Sequence, residues 1–281
     1  MTMKNQSNSR RYNHLFLLGL ISILTGFTIF LDNLLKTGWL LYIILPLIGI
    51  AVIVVSLPSS NIGYLLAGSI TLGIGWLLFF LFSDLVELGI KLRIGYGLLG
   101  PGISWLLIFI LGMIKLKRQW FWVFIPSGLF LATSLCFILS PLRFVDFVLY
   151  IPLGLGLSFL VWGYCQRLLG LIIPGSLLVT IGPGIYFPWG KIDEPSGLSQ
   201  TGMMLVIFAL GWGLIVLFSR LLYDGFTWWP LIPGGILAVV GWGLYIGGNP
   251  QNAVSFIGNT GSLGLMIFGF YLLLMRRGFR Q

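Results

Sequence analysis

Stretches of about twenty apolar residues follow one another along this chain with only short polar interruptions, and no other feature constrains its fold as strongly. A helix rises about 1.5 Å per residue, so about twenty residues cross a hydrocarbon core about 30 Å thick. Apolar runs set against polar breaks predict ten spans, at 15–33, 38–57, 62–83, 94–114, 119–139, 144–165, 168–188, 201–223, 228–248 and 253–275. A second reading starts the fourth as early as Leu85. Hydrophobic residues make up 58% of the chain and charged residues only 8%, too little polar surface to cover a soluble globule. The longest polar stretches, "MTMKNQSNSRRYNH" at the start and "PWGKIDEPSGLSQ" around Asp193, have the length of a tail and a loop. The expected fold is therefore an all-α membrane protein, with a single polytopic domain over 15–275 between basic tails at 1–14 and 276–281.

A formal charge of +9 does not make this a nucleic-acid binder, because the basic residues stand singly and in pairs at the ends of apolar runs. With the amino terminus inside, eleven fall on the cytoplasmic side: Lys4, Arg10, Arg11, Lys115, Lys117, Arg118, Arg167, Arg220, Arg276, Arg277 and Arg280. Five fall on the other: Lys36, Lys91, Arg93, Arg143 and Lys191, which completes the sixteen. This bias predicts an even number of spans with both termini cytoplasmic. The first apolar run follows a basic start, as in a signal peptide. No small-residue cleavage site precedes the next span, so a retained helix is expected.

Spans of this chain carry many helix breakers, most visibly "WWPLIPGGILAVVGWGLYIGG" from Trp228 to Gly248. A glycine-containing triplet recurs in the first half of each odd span: "LGL" at 18, "AGS" at 67, "PSG" at 126, "PGS" at 174 and "PGG" at 233. Looser counterparts lie near the middle of the even spans: "LPLIG" at 45, "LGPG" at 99, "IPLGLG" at 151, "ALGWG" at 209 and "GSLGL" at 261. The pattern predicts five sequential helical hairpins, at 15–57, 62–114, 119–165, 168–223 and 228–275, all entering the membrane in the same orientation. In lipid no hydrophobic force pulls helices together, so small residues that let backbones touch must supply the attraction. The triplets, Gly234 and Gly235 included, are thus expected to be packing points. Pro230 is expected in a first turn, where its missing donor costs little, and Pro174 and Pro233 deeper, where they kink the helix. Trp120, Trp122, Trp228 and Trp229 are placed at cytoplasmic helix entries.

Little in the chain points to chemistry. Glycine clusters such as "GYGLLGPG" neither follow a strand nor open a soluble helix, as a nucleotide loop requires. No serine or cysteine stands in a nucleophile motif, and a single histidine, His14, sits at a membrane edge. Two cysteines and one histidine are too few for a structural zinc site. Cys136 and Cys165 fall at opposite ends of consecutive spans and are expected as free thiols. No catalytic, cofactor-binding or metal-ligating residue is therefore predicted. The densest charges lie in "SDLVELGIKLR", Ser83 to Arg93, where Glu87 and Lys91 have helical spacing. A second group gathers Arg143 and Asp146 with Lys191, Asp193 and Glu194; both read as interfacial charges reaching water. Thr25, Ser69, Thr71, Thr133, Ser158 and Thr180 lie within spans, where hydroxyls bond back to their own helix or join helices, or else line a polar path.

The segment "WWPLIPGGILAVVG", through Trp229, Pro230, Leu231, Ile232, Gly234, Gly235 and Gly241, resembles the glycine-rich hairpins of small bacterial multi-pass membrane modules of unknown function, some found in envelope-stress proteins. That resemblance implies bacterial membrane residence and envelope association, and it carries over no catalytic residue. The expected function is a non-enzymatic interaction, scaffold or envelope-maintenance component. The alternative is a transporter or channel for a small or apolar solute. Expected partners are the lipid bilayer and other membrane proteins, not nucleic acid.

Overall fold

The computed structural model describes residues 19, 22–23, 25–59, 62–83, 87–117, 119–190, 197–222, 227–248 and 264–273. Helix accounts for nearly all of them, and no strand occurs among the described residues. After helical residues 25–35 come α1 (Leu40–Ser59), α2 (Ile62–Phe82), α3 (Ile90–Leu116), a 3-10 turn (Phe121–Val123) running into α4 (Phe124–Leu139), α5 (Phe144–Gln166), α6 (Leu169–Trp189), α7 (Gly197–Leu222) and α8 (Leu231–Gly248). Among the described residues, seven helices are long and apolar enough to cross a membrane; Tyr42–Leu57 and Gly264–Leu273 are shorter apolar helices. The chain has the structure of a multi-pass helical membrane protein. The beginnings of the first and tenth predicted spans, and both tails with His14, lie outside the described residues.

Two sequence expectations about helix starts are corrected. Residues 87–89 are not helical and Gly89, in extended backbone, caps α3, so that span does not reach back to Leu85 and the Glu87–Lys91 pairing at helical spacing is lost. Helix α8 begins at Leu231, which puts Pro233 in its first turn, where a missing donor is harmless, rather than deep in the helix. Pro101 and Pro152 are the prolines held inside helices α3 and α5.

The chain falls into two compact units, Met1–Gly182 and Pro183–Gln281, with the division inside α6. In the first unit α1 packs on α2, α2 on α3, α3 on α4 and α4 on α5, each on its neighbour in the chain. The pairs are antiparallel: Gly49 meets Leu72, Gly68 meets Ile53 and Gly75 meets Pro46, so numbers rise on one helix as they fall on the other. Small residues set the spacing. A Cβ added to Gly68 would lie 2.9 Å from the Ile53 nitrogen, and one on Gly73 would lie 2.8 Å from Pro101 Cα. Gly156 of α5 and Gly175 of α6 face each other in the same way, a Cβ on Gly156 standing 2.9 Å from the Gly175 carbonyl oxygen. In the second unit α7 packs on α8 through Gly202 against Gly241 and Tyr245, and a Cβ on Gly234 would meet Trp212 Cβ at 2.9 Å. Gly235 and Gly19 face open space, so within the triplets only one glycine of "PGG" is a packing point and "LGL" is not one.

Cross-helix hydrogen bonds reinforce one joint. Ser127 Oγ donates to the Gly102 carbonyl at 2.8 Å and Ser134 Oγ to the Gly95 carbonyl at 2.7 Å, tying α4 to α3 at two levels a pair of turns apart. Aromatic contacts close one end of the same joint: Phe109 of α3 packs on Phe121 and Phe124, and Trp105 stands edge-on to Trp122.

Candidate functional site

At the other end of the first unit lie Glu87, Lys91, Arg93, Arg143 and Asp146. Arg93, in the first turn of α3, donates from Nε to the Leu88 carbonyl at 3.0 Å and from Nη1 to the Leu81 carbonyl at 3.5 Å. It secures the connection between α2 and α3. Lys91 is half-buried beside it, while Glu87 is exposed ahead of the helix. The α4–α5 turn is tied twice. Ser140 Oγ donates to the Cys136 carbonyl at 2.6 Å and accepts from the Leu142 nitrogen at 3.4 Å, closing the end of α4. Asp146 then opens α5: its Oδ2 accepts from the Arg143 nitrogen at 2.7 Å, and its Oδ1 lies 3.5 Å from Arg143 Nη2. This reciprocal arrangement is a capping box, in which a side chain three residues into the helix satisfies the donor of the capping residue. Asp146 is fully buried, and its Oδ1 has no hydrogen-bond partner. The two groups singled out in the sequence therefore act mainly on their own chain ends; Lys191, Asp193 and Glu194 lie outside the described residues.

The span hydroxyls divide into three kinds. Thr71, Thr133, Ser158 and Thr180 donate back to carbonyls of their own helices. Ser127 and Ser134, which the sequence reading passed over, bridge helices. Their signal was present: they sit a pair of turns apart on one helix face, and the two acceptor glycines are separated equally on α3. Ser69 and Ser176 are fully buried with hydroxyls that have no partner.

Two recesses open between helices of the first unit. One, of about 290 Å³, runs between α4 and α5 with Leu106 of α3 at its edge; its floor is Gly128, Ala132, Gly154 and Ser158. The other, of about 240 Å³, lies between α2 and α3 over Ser69, Gly73, Pro101 and Ser104. Both are apolar. Of their serine hydroxyls, Ser104, Ser127 and Ser158 are spent on backbone carbonyls and Ser69 has no partner; Tyr150 also lines the first recess. The cysteines are free thiols, Cys136 buried and Cys165 exposed. No group of three or more metal-ligating side chains converges among the described residues.

Fold and recesses together define a class, the multi-pass helical membrane protein with apolar grooves between its helices. Compared with family profiles, with curated proteins and with solved structures, the chain shows no match.

Proposed function

We propose that this protein is a non-enzymatic scaffold of a bacterial cytoplasmic membrane, which acts by packing its apolar faces against lipids and other membrane proteins. The observation that carries the reading is the packing of α1 to α5 each on its chain neighbour, which leaves large apolar side chains exposed along the row, among them Ile74, Ile103, Leu135 and Leu157. In water such surfaces would drive aggregation; in a bilayer they are contact area for acyl chains and partner helices. The apolar grooves support the same reading, since their hydroxyls are largely spent on the backbone.

In this proposal the chain crosses the membrane ten times as five like-oriented hairpins with both termini cytoplasmic. The eleven-to-five division of basic residues supports the threading. Gly68, Ser127, Gly175 and Gly234, one from each of four triplets, all meet the helix that precedes theirs in the chain, and this recurrence supports the repeat. Envelope association rests on the resemblance of the Trp229–Gly241 hairpin. A transporter or channel is the second reading, favoured by the unpartnered hydroxyls of Ser69 and Ser176 within the spans.

The deciding experiment is solute flux in proteoliposomes. The scaffold predicts permeability to ions, glycerol and small amines equal to that of protein-free vesicles. Saturable flux of any of these assigns the protein to transport instead.

A further inference from the structure

We propose that the recess between α4 and α5 is a binding site for one acyl chain of an anionic phospholipid, whose headgroup lies against the basic connections at the end of the recess marked by Phe124 and Val161. The proposal rests on the membrane-scaffold reading and names a specific ligand for it.

Shape is the first argument. From Phe124 to Leu135 the recess follows α4 for about 16 Å, given a rise of about 1.5 Å per residue. That is the depth of one leaflet, half of a hydrocarbon core about 30 Å thick. Its volume of about 290 Å³ is roughly twice that of a cavity of about 150 Å³ that stays dry and accepts a benzene ring. A chain segment therefore fits where a single small apolar molecule would leave space unfilled. The recess exists because Gly128 and Gly154 let α4 and α5 approach at its floor, while Leu135 and Leu157 stand out as walls.

Its chemistry is the second. Ser127, Ser158 and Tyr150 line the recess; the two serines donate to backbone carbonyls, Gly102 and Gly154, and Tyr150 is half-buried. With the serine donors engaged, methylene groups take no hydrogen bond from them on entering, and a polar solute meets a lining that is mostly hydrocarbon.

Charge is the third. Helices α4 and α5 are antiparallel, so Phe124 stands level with Val161, and the chain just beyond each is basic. Lys115 and Lys117 precede α4 and are exposed; Arg167 follows α5 and is exposed. Trp122 is exposed at the same end, where an indole suits the headgroup layer. At the opposite end the cations Lys91, Arg93 and Arg143 are accompanied by acids, the buried Asp146 lying 3.5 Å from Arg143 and Glu87 standing exposed. The recess thus has an apolar body and, at the Phe124 end, described charges that are all cationic, the complement of a phosphodiester lipid.

The test uses the full chain in vesicles containing phosphatidylglycerol or phosphatidylcholine that bears a photoactivatable diazirine in its acyl chain, with labelled residues mapped by mass spectrometry. Phosphatidylglycerol is expected to label recess residues Leu131, Leu135 and Leu157 well above Leu210, which is equally lipid-facing at 56% exposed. Each of Lys115→Gln, Lys117→Gln and Arg167→Gln should lower the preference for phosphatidylglycerol over phosphatidylcholine about fivefold, the equivalent of about 1 kcal/mol per juxtamembrane cation. Leu157→Trp fills the recess from a residue that is 48% exposed, so the fold is retained; it should abolish recess labelling while leaving Leu210 labelling unchanged. Even labelling of all lipid-facing helices with either headgroup, or recess labelling indifferent to Leu157→Trp, overturns the site. A conducting protein that keeps the selective labelling would refute the scaffold and leave this site standing.

Discussion

The hydroxyl of Ser134 on α4 donates a 2.7 Å hydrogen bond to the backbone carbonyl of Gly95 on α3. Glycine suits this position: a Cβ at position 95 would come within 2.7 Å of Ile138 Cγ1, so a larger residue there must displace the Ile138 side chain beside the bond. Such bonds in bilayers contribute about 0.6 kcal/mol on average and at most about 1.7. Ser134→Ala is therefore expected to lower stability by about that amount, and Ser127→Ala by the same. The two sites lie about 10 Å apart along the helix, so their effects should add. Unfolding of both single variants and the double variant in detergent, followed by circular dichroism, measures this.

Gly156→Leu puts a branched side chain where the α6 backbone already stands, and overpacking of this kind costs about 1–3 kcal/mol. Gly235→Leu faces open space and should stay within about 0.5 kcal/mol of the parent, as surface substitutions do. Gly234→Leu, one residue away, meets Trp212 and should resemble Gly156→Leu. Thermal aggregation midpoints of the three purified variants check the order.

Asp146→Ala removes the acceptor of the Arg143 nitrogen at the start of α5. A donor left without its partner costs about 1–3 kcal/mol. Asp146→Asn keeps a side-chain oxygen that can accept the same bond and should lose less. Comparing the melting of the two variants separates the hydrogen bond from the charge.

A thiol reagent should modify Cys165 in the folded protein and Cys136 only after denaturation, since the first is exposed and the second buried. With the proposed threading, a membrane-impermeant maleimide reaches Cys165 from the cytoplasmic face, and Ser196→Cys only from the opposite face. Labelling of Ser196→Cys from the cytoplasm would reverse the threading.

The helical class and most helix positions were legible because lipid leaves the chain no alternative: backbone groups must pair internally, and apolar length must match the bilayer. Predicted 62–83 and 144–165 became Ile62–Phe82 and Phe144–Gln166 within one residue at each end. What the pattern could not carry is rotational phase. Gly234 and Gly235 are adjacent in an equally apolar string, yet about 100° of helix turn sends one to Trp212 and leaves the other in the open. Nor does an apolar string mark its own first turn, which is why Glu87 looked helical until Gly89 proved to be the cap. The bridging serines were readable in principle, since Ser127 and Ser134 match the separation of Gly102 and Gly95, but only once α3 and α4 are known to be neighbours.

The chain-neighbour packing of α1 to α5 makes the energetics of that unit nearly one-dimensional. A fault at one joint is felt by the two helices that share it and is not relayed through a common centre. Pulled from one end by a force probe, such a row should unravel in steps, one or two helices at a time. During synthesis the same order runs forwards: each new helix finds the surface it needs on the helix just inserted, so assembly need not wait for the rest of the chain to emerge.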